Sequence, residues 1–167
     1  MKLRRKARIA VLQALYEADI AHHPAGDALN RRLAELTLPL PVEAFARRLL
    51  VGVTGYRRQL NALITRHASE WPLEQMAVID RNILRIALYE LGDPELKTPA
   101  KVAINEAVEM AKLFGSDSSP RFINGVLGAV MMEADTLTLG EEIAEHGDDI
   151  LTPEAISVAN TELLVAL

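Results

Sequence analysis

Ala77-Val78-Ile79-Asp80-Arg81-Asn82-Ile83-Leu84-Arg85-Ile86-Ala87-Leu88-Tyr89-Glu90-Leu91 is the stretch that decides the fold. Val78, Ile79, Ile83, Leu84, Ile86, Ala87, Leu88 and Leu91 recur at helical spacing and predict a helix over about 77–91. They cover most of its sides, and a helix apolar on most sides needs neighbours on most sides, which places it in the middle of a bundle. Gly92-Asp93-Pro94 stops it.

The neighbours are legible on both flanks. Downstream, a helix is predicted over 100–114, with Ile104, Ala107, Val108, Ala111 and Phe114 facing inward and Glu106, Glu109 and Lys112 outward. Gly115 closes it. Ser119 as N-cap and Pro120 at the first helical position then start a helix over 120–133, built on Ile123, Val126, Leu127 and Val130. Gly125 and Ala129 would let a neighbour approach closely. Upstream, helices are predicted over 3–22, 27–36 and 42–69, with Gly52 and Gly55 as points where the third can bend. Trp71-Pro72 is the expected joint, because proline disfavours helix in the residue before it. The pattern is all-α: two small helical-bundle subdomains packed together, about 1–70 and 72–133, forming one domain over 1–133. An acidic extension over 134–167 carries a further helical pattern at 153–166, started by Thr152-Pro153-Glu154.

Composition narrows the function. There is no cysteine among the 167 residues, which excludes disulfides, thiolate metal sites and thiol nucleophiles and suits a reducing cytoplasm. No signal-peptide run or apolar span is present, so a soluble cytoplasmic protein with no membrane partner is expected. The net charge of −5 is uneven: residues 1–121 hold all 18 Lys and Arg, while 122–167 hold nine acids and no Lys or Arg. Phosphate loops, nucleophile elbows and zinc-protease motifs are missing. His22 and His23 read as a solvated helix end, and Glu106 with Glu109 as a solvated pair. No catalytic residue, metal or cofactor is expected.

The basic start is more informative. Val11, Leu12, Leu15 and Tyr16 define an apolar arc on the first helix, and running that arc backwards lands on Arg4, Arg5 and Arg8. Burying arginine without a partner is costly, so these turns should project past the bundle or meet an anion. RNA phosphate fits, since arginine binds it with two donors and stacks on bases. A solvated, frayed terminus fits the pattern as well. A second candidate is the start of the 120–133 helix, where free N–H groups, Arg121 and Phe122 combine. A lone Phe in a helix is more often core.

Three segments resemble the NusB family: Arg4-Arg5-Lys6-Ala7-Arg8 running into Val11-Leu12-Gln13-Ala14-Leu15-Tyr16, Ile79 to Leu91, and Lys101 to Lys112 continuing through Phe114-Gly115 to Arg121-Phe122-Ile123-Asn124-Gly125-Val126-Leu127. They stand in order across about residues 3–132. The resemblance implies a non-enzymatic transcription antitermination factor. It implies binding to the boxA element of nascent RNA together with NusE, a small-subunit ribosomal protein, and assembly with NusA, NusG and RNA polymerase, notably on ribosomal RNA operons. Arg4, Arg5, Arg8 and Gln13 match the family's RNA-binding first helix. Lys101, Arg121, Phe122 and Asn124 match its other RNA-side positions, and Tyr16 and Asp80 match positions at the NusE interface. Ser118 stands where relatives often have an acid, which alters the charge of the loop near RNA. The acidic extension is longer than the family core requires and is expected to fold against the basic surface and weaken nonspecific RNA binding.

Two other classes stay open at this stage. One is a helical protein-interaction module without specific RNA binding, which salt-dependent RNA affinity would separate. The other is an accessory module like that of some RNA cytosine methyltransferases, which needs a catalytic domain and cysteine that this chain lacks. A homodimer that masks the RNA surface is also compatible with the sequence.

Overall fold

The computed structural model describes residues 2–133 and 137–140. Within these residues there are seven α-helices and no strand: α1 (Leu3–Ala21), α2 (Ala25–Leu36), α3 (Leu40–Gly55), α4 (Arg57–His67), α5 (Val78–Gly92), α6 (Ala100–Phe114) and α7 (Ser119–Glu133). The helix expected at 153–166 lies outside the described residues, as does the acidic extension apart from 137–140. No described helix is long and apolar enough to cross a membrane.

The described chain falls into two compact units, divided between Thr54 and Gly55. The sequence places the joint later, at Trp71-Pro72, and reads 42–69 as one helix. The structure breaks that helix at Tyr56, whose φ of −101° and ψ of 18° leave the helical region. The physical reason lies beyond the break. α4 buries Leu60 and Ile64 and packs on α5 and α7, so it belongs to the second unit. Trp71 is an exposed residue inside that unit, followed by a 3-10 turn, Leu73–Gln75, that leads into α5.

In the first unit α1 buries Ala7, Ala10, Val11, Leu12, Ala14 and Leu15, and packs on α2. The three alanines keep that face thin, which allows close helix approach. α2 contributes Leu29 and Leu33, and α3 contributes Phe45, Leu49, Leu50 and Val53. Glu17 of α1 ties the pair, accepting from Arg31, from Arg32 at 3.1 Å and from His23 at 2.8 Å. Arg47 of α3 donates to Asn30 of α2 at 2.6 Å. α1 ends at His22, whose left-handed φ of 56° and N–H bond to the Ala18 carbonyl turn the chain towards Pro24.

In the second unit α5 touches α4, α6 and α7, the arrangement its all-round apolar pattern requires. It also buries polar groups that are paired. Arg85 donates from Nε to Asn61 at 2.8 Å and from Nη1 to Asn82 at 3.0 Å. Tyr89 donates to Asp93 at 2.7 Å, and Glu90 accepts from Thr98 at 2.7 Å. Glu106, expected to face outward, is buried on α6. Helical spacing puts it one turn from Val102 and Met110, and the packing of α5 and α7 on α6 widens the buried face to include it. Glu109 and Lys112 do face solvent, as an ion pair of 2.8 Å.

At the far end of this unit, Glu133 of α7 accepts from His67 at 2.6 Å and from Arg66, both at the C-terminus of α4. The His67 hydrogen bond, with Arg66 behind it, holds the Glu133 carboxyl below the ordinary carboxylate range. A carboxyl with a depressed folded-state pKa stabilises the fold above its unfolded pKa, and loses that contribution as pH falls through the folded value. Glu133→Gln is therefore expected to lower Tm at neutral pH and to flatten the fall of Tm between about pH 5 and pH 3. An acid limb identical to wild type would refute the pairing.

Candidate RNA-binding and partner-binding residues

α1 begins with a local conflict. Lys2, Arg4, Arg5, Lys6 and Arg8 crowd its N-terminal end, there is no acid in the first turn, and no side chain caps the helix. That end carries the positive pole of the helix dipole, where cations are disfavoured by about 0.3–1 kcal/mol each. α1 is held instead by the packing of its later turns. Phe45 of α3 sits beneath the basic end: the Arg4 guanidinium lies 4.6 Å from its ring centroid and that of Arg8 lies 5.1 Å away. Arg4 and Arg8 are one turn apart, so a single ring serves both.

The arginines differ in exposure. Arg4 is exposed and Arg5 half-buried. Arg8 is only 3% exposed. The expectation was that these turns project past the bundle or meet an anion, and Arg8 does not project. Its charge is accommodated over a buried aromatic face, where cation–π attraction strengthens as water is excluded. Gln13 is half-buried, with its Oε1 3.5 Å from Arg32 Nη1. Tyr16, placed on the apolar arc from sequence, is 41% exposed, and Ile20 one turn later is exposed beside it. Sequence reading missed Phe45 as a partner of the arginines. No spacing rule links residues some forty positions apart.

In the second unit Arg121, Phe122 and Asn124 share the first turns of α7; Arg121 and Asn124 are exposed and Phe122 is half-buried. Lys101 is exposed but lies at the start of α6, while the loop into α7 leaves from its other end. About 20 Å of helix axis separates Lys101 from Phe114. The structure therefore groups Arg121, Phe122 and Asn124 and leaves Lys101 apart. Gly125 is exposed, and a Cβ there would meet nothing within 4 Å, so the expected close neighbour is absent among the described residues.

The start of α7 is built differently from the capped helix expected. Ser119 is 1% exposed and is the first residue of the helix. Its hydroxyl oxygen accepts from the Ser116 N–H at 2.9 Å and lies 3.1 Å from the Ser116 hydroxyl. The Ser116 hydroxyl is 3.2 Å from that of Ser118. Asp80 is 9% exposed, and its Oδ1 is buried without a hydrogen-bond partner. Burial pushes its carboxyl above the ordinary range, against the opposing pull of Ser119.

Among the described residues no cluster of three or more His, Cys, Asp or Glu could hold a metal. His22 and His23 are exposed, and His23 serves Glu17.

The fold and these surfaces define an all-helical protein of two small bundles, each with a basic helix start. The NusB family model matches residues 5–132, and the chain belongs to the NusB family. It is 49% identical over 130 residues to the transcription antitermination protein NusB of Roseiflexus castenholzii, covering 77% of this chain and 92% of that one. It is similar to a solved structure of NusB from T. maritima, at 35% identity and a TM-score of 0.73, covering 78% and 91% of the two chains. It also shares the fold of a chain solved among the antitermination factors NusB and NusE in complex with double-stranded RNA, at 21% identity and a TM-score of 0.70, covering 80% and 99%.

Proposed function

We propose that this chain is a cytoplasmic transcription antitermination factor that binds boxA-type RNA together with NusE. With NusA, NusG and RNA polymerase it completes an antitermination complex, notably on ribosomal RNA operons. The observation that carries the reading is the cationic start of α1. Cations gathered at the positive end of an uncapped helix oppose local stability, and such conflicts are expected at functional sites. An RNA phosphate resolves the conflict, because it is the anion that a helix N-terminus and arginine both favour.

In this reading Arg4 and Arg5 contact phosphate directly. Arg8, buried over Phe45, orients the first two turns, and Gln13 lies at the margin. Arg121 and Asn124 supply polar contacts from α7, Phe122 offers a partly exposed ring for stacking, and Lys101 adds a more distant charge. NusE docks on the exposed face of Tyr16 and Ile20. Asp80, on the second unit, is the other residue this reading assigns to the NusE interface, and only its small exposed fraction is available for contact. The family membership, the names of the relatives and the NusB–NusE–RNA assembly of a protein with the same fold support the reading.

In a reconstituted transcription reaction with RNA polymerase, NusA, NusG and NusE, adding this protein is expected to raise terminator read-through on a template whose leader carries boxA, and not on one whose boxA is scrambled. Equal read-through on both templates would refute the proposal.

A further inference from the structure

We propose that residues 137–140 form a strap that fastens the acidic extension to α4 and α5 and, through that anchorage, holds nonspecific RNA off the Arg57-Arg58 end of α4. The shielding half of the proposal rests on the RNA-binding reading above. The strap itself stands on contacts within the second unit alone.

The chain after α7 is fastened to α4 at two points. Glu133, the last residue of α7, is held by Arg66 and His67 at the C-terminal end of α4. Gly140 is held near the other end. The Gln59 side-chain amide donates from Nε2 to the Gly140 carbonyl at 3.1 Å, and its Oε1 accepts from the Gly140 N–H at 3.0 Å. Residues paired across an antiparallel ladder exchange two bonds in this way, and here a side-chain amide supplies both the donor and the acceptor. Gln59 and Arg66 stand about 10 Å apart along the helix axis. Burial alternates along the strap: Leu137 and Leu139 are half-buried, while Thr138 and Gly140 are exposed. Such alternation marks an extended segment lying with one face down.

Leu139 occupies a seat that glycine leaves open. A Cβ at Gly92, the last residue of α5, would fall 2.7 Å from Leu139 Cγ and 2.9 Å from its Cδ1. Gly92 has no positive φ, so its backbone conformation does not call for glycine. In a helix glycine is less favourable than alanine. What glycine at this position provides is room for Leu139. The strap is thus held by an apolar contact on α5 and a pair of hydrogen bonds on α4.

The strap ends where the charge changes sign. Glu141 and Glu142 follow Gly140 directly, and the sequence beyond them contains further acids but no Lys or Arg. Two residues of chain reach about 7 Å at most. Arg57 and Arg58 are exposed, precede Gln59 in the first turn of α4, and have no acid beside them in that turn. Fastening Gly140 to Gln59 therefore raises the effective concentration of carboxylate around two arginines by tethering. An RNA phosphate that approaches those arginines has to compete with it.

The test uses the full chain with Gly92→Ala, Leu139→Ala, their double variant and Gln59→Ala. Gly92→Ala alone is expected to lower Tm by about 2–4 °C, because the new Cβ unseats Leu139. In the Leu139→Ala background the same substitution is expected to raise Tm by about 1–3 °C, because the seat is vacated and alanine favours the helix. Gln59→Ala should speed hydrogen exchange of the Gly140 amide by about tenfold. Leu139→Ala and Gln59→Ala should each tighten binding of a uridine homopolymer by about threefold to tenfold at low salt, with the gain fading as salt rises. A Gly92→Ala that raises Tm in both backgrounds, or a Gly140 amide unmoved by Gln59→Ala, would overturn the strap. Unchanged homopolymer affinity in both strap variants would overturn the shielding. Absence of all RNA binding by the wild-type protein would instead overturn the RNA reading, while the reversal of sign in Tm would still decide the strap.

Discussion

Phe45→Ala is expected to lower the unfolding free energy by about 3–5 kcal/mol, the range for deleting a fully buried aromatic side chain. Phe45 is completely buried and is the largest side chain in the first unit's core. Its loss removes packing from α3 and also takes the ring from beneath Arg4 and Arg8. Arg8 would then keep a buried charge with one attraction fewer, which adds to the cavity cost. Against a total stability of about 5–15 kcal/mol, a loss of this size removes a large share. Urea denaturation gives the value directly. Phe45→Leu separates the two contributions: it refills most of the cavity, so its cost should fall to about 1–2 kcal/mol while the arginines still lose their ring. A loss below about 1 kcal/mol for Phe45→Ala would mean that the ring does not anchor the basic end.

Arg4→Ala with Arg5→Ala is expected to weaken boxA RNA binding on the order of a hundredfold at moderate salt, from two charge-assisted contacts of about 1.5 kcal/mol each. The more discriminating readout is the salt dependence. Each phosphate contact on a single strand contributes about −0.7 to the slope of log affinity against log salt, so the double variant should flatten the slope by about 1.4. Arg4→Lys with Arg5→Lys keeps the charges, so the slope should persist while affinity falls with the loss of two-donor geometry. Arg4→Ala with Arg5→Ala also gives up the contact of Arg4 with the Phe45 ring, worth about 0.5–1 kcal/mol, so Tm should fall modestly, and by less than for Phe45→Ala. Arg8→Ala is predicted to behave differently, lowering stability more as well as affinity, because Arg8 is buried where Arg4 is not.

That difference marks where sequence reading stopped. The apolar arc of α1 was legible in Val11, Leu12 and Leu15, and so was its replacement by arginine in the first two turns. Whether each arginine projects or packs depends on what lies opposite, and Phe45 arrives from a helix far along the chain. α5 was legible because its apolar residues go all round, and only a central position satisfies such a pattern. The end of α3 was not. Periodicity runs through Tyr56 without interruption, and the break reflects which neighbours bury Leu60 and Ile64. Glu106 misled for the same reason, since a charged residue on an amphipathic pattern reads as solvated until a second helix covers it. At the start of α7 the Ser119-Pro120 pair matched a cap signal, yet Ser119 turns back to Ser116. Local chemistry named the residues that matter there, and tertiary packing decided what they do.

The most direct measurement is a titration of boxA RNA and of a scrambled RNA with the wild-type protein, alone and with NusE, over a range of salt. The account predicts weak, salt-dependent binding alone and a gain in affinity and in preference for boxA when NusE is present. Equal affinity for the two RNAs in the presence of NusE, with no dependence on salt, would contradict it.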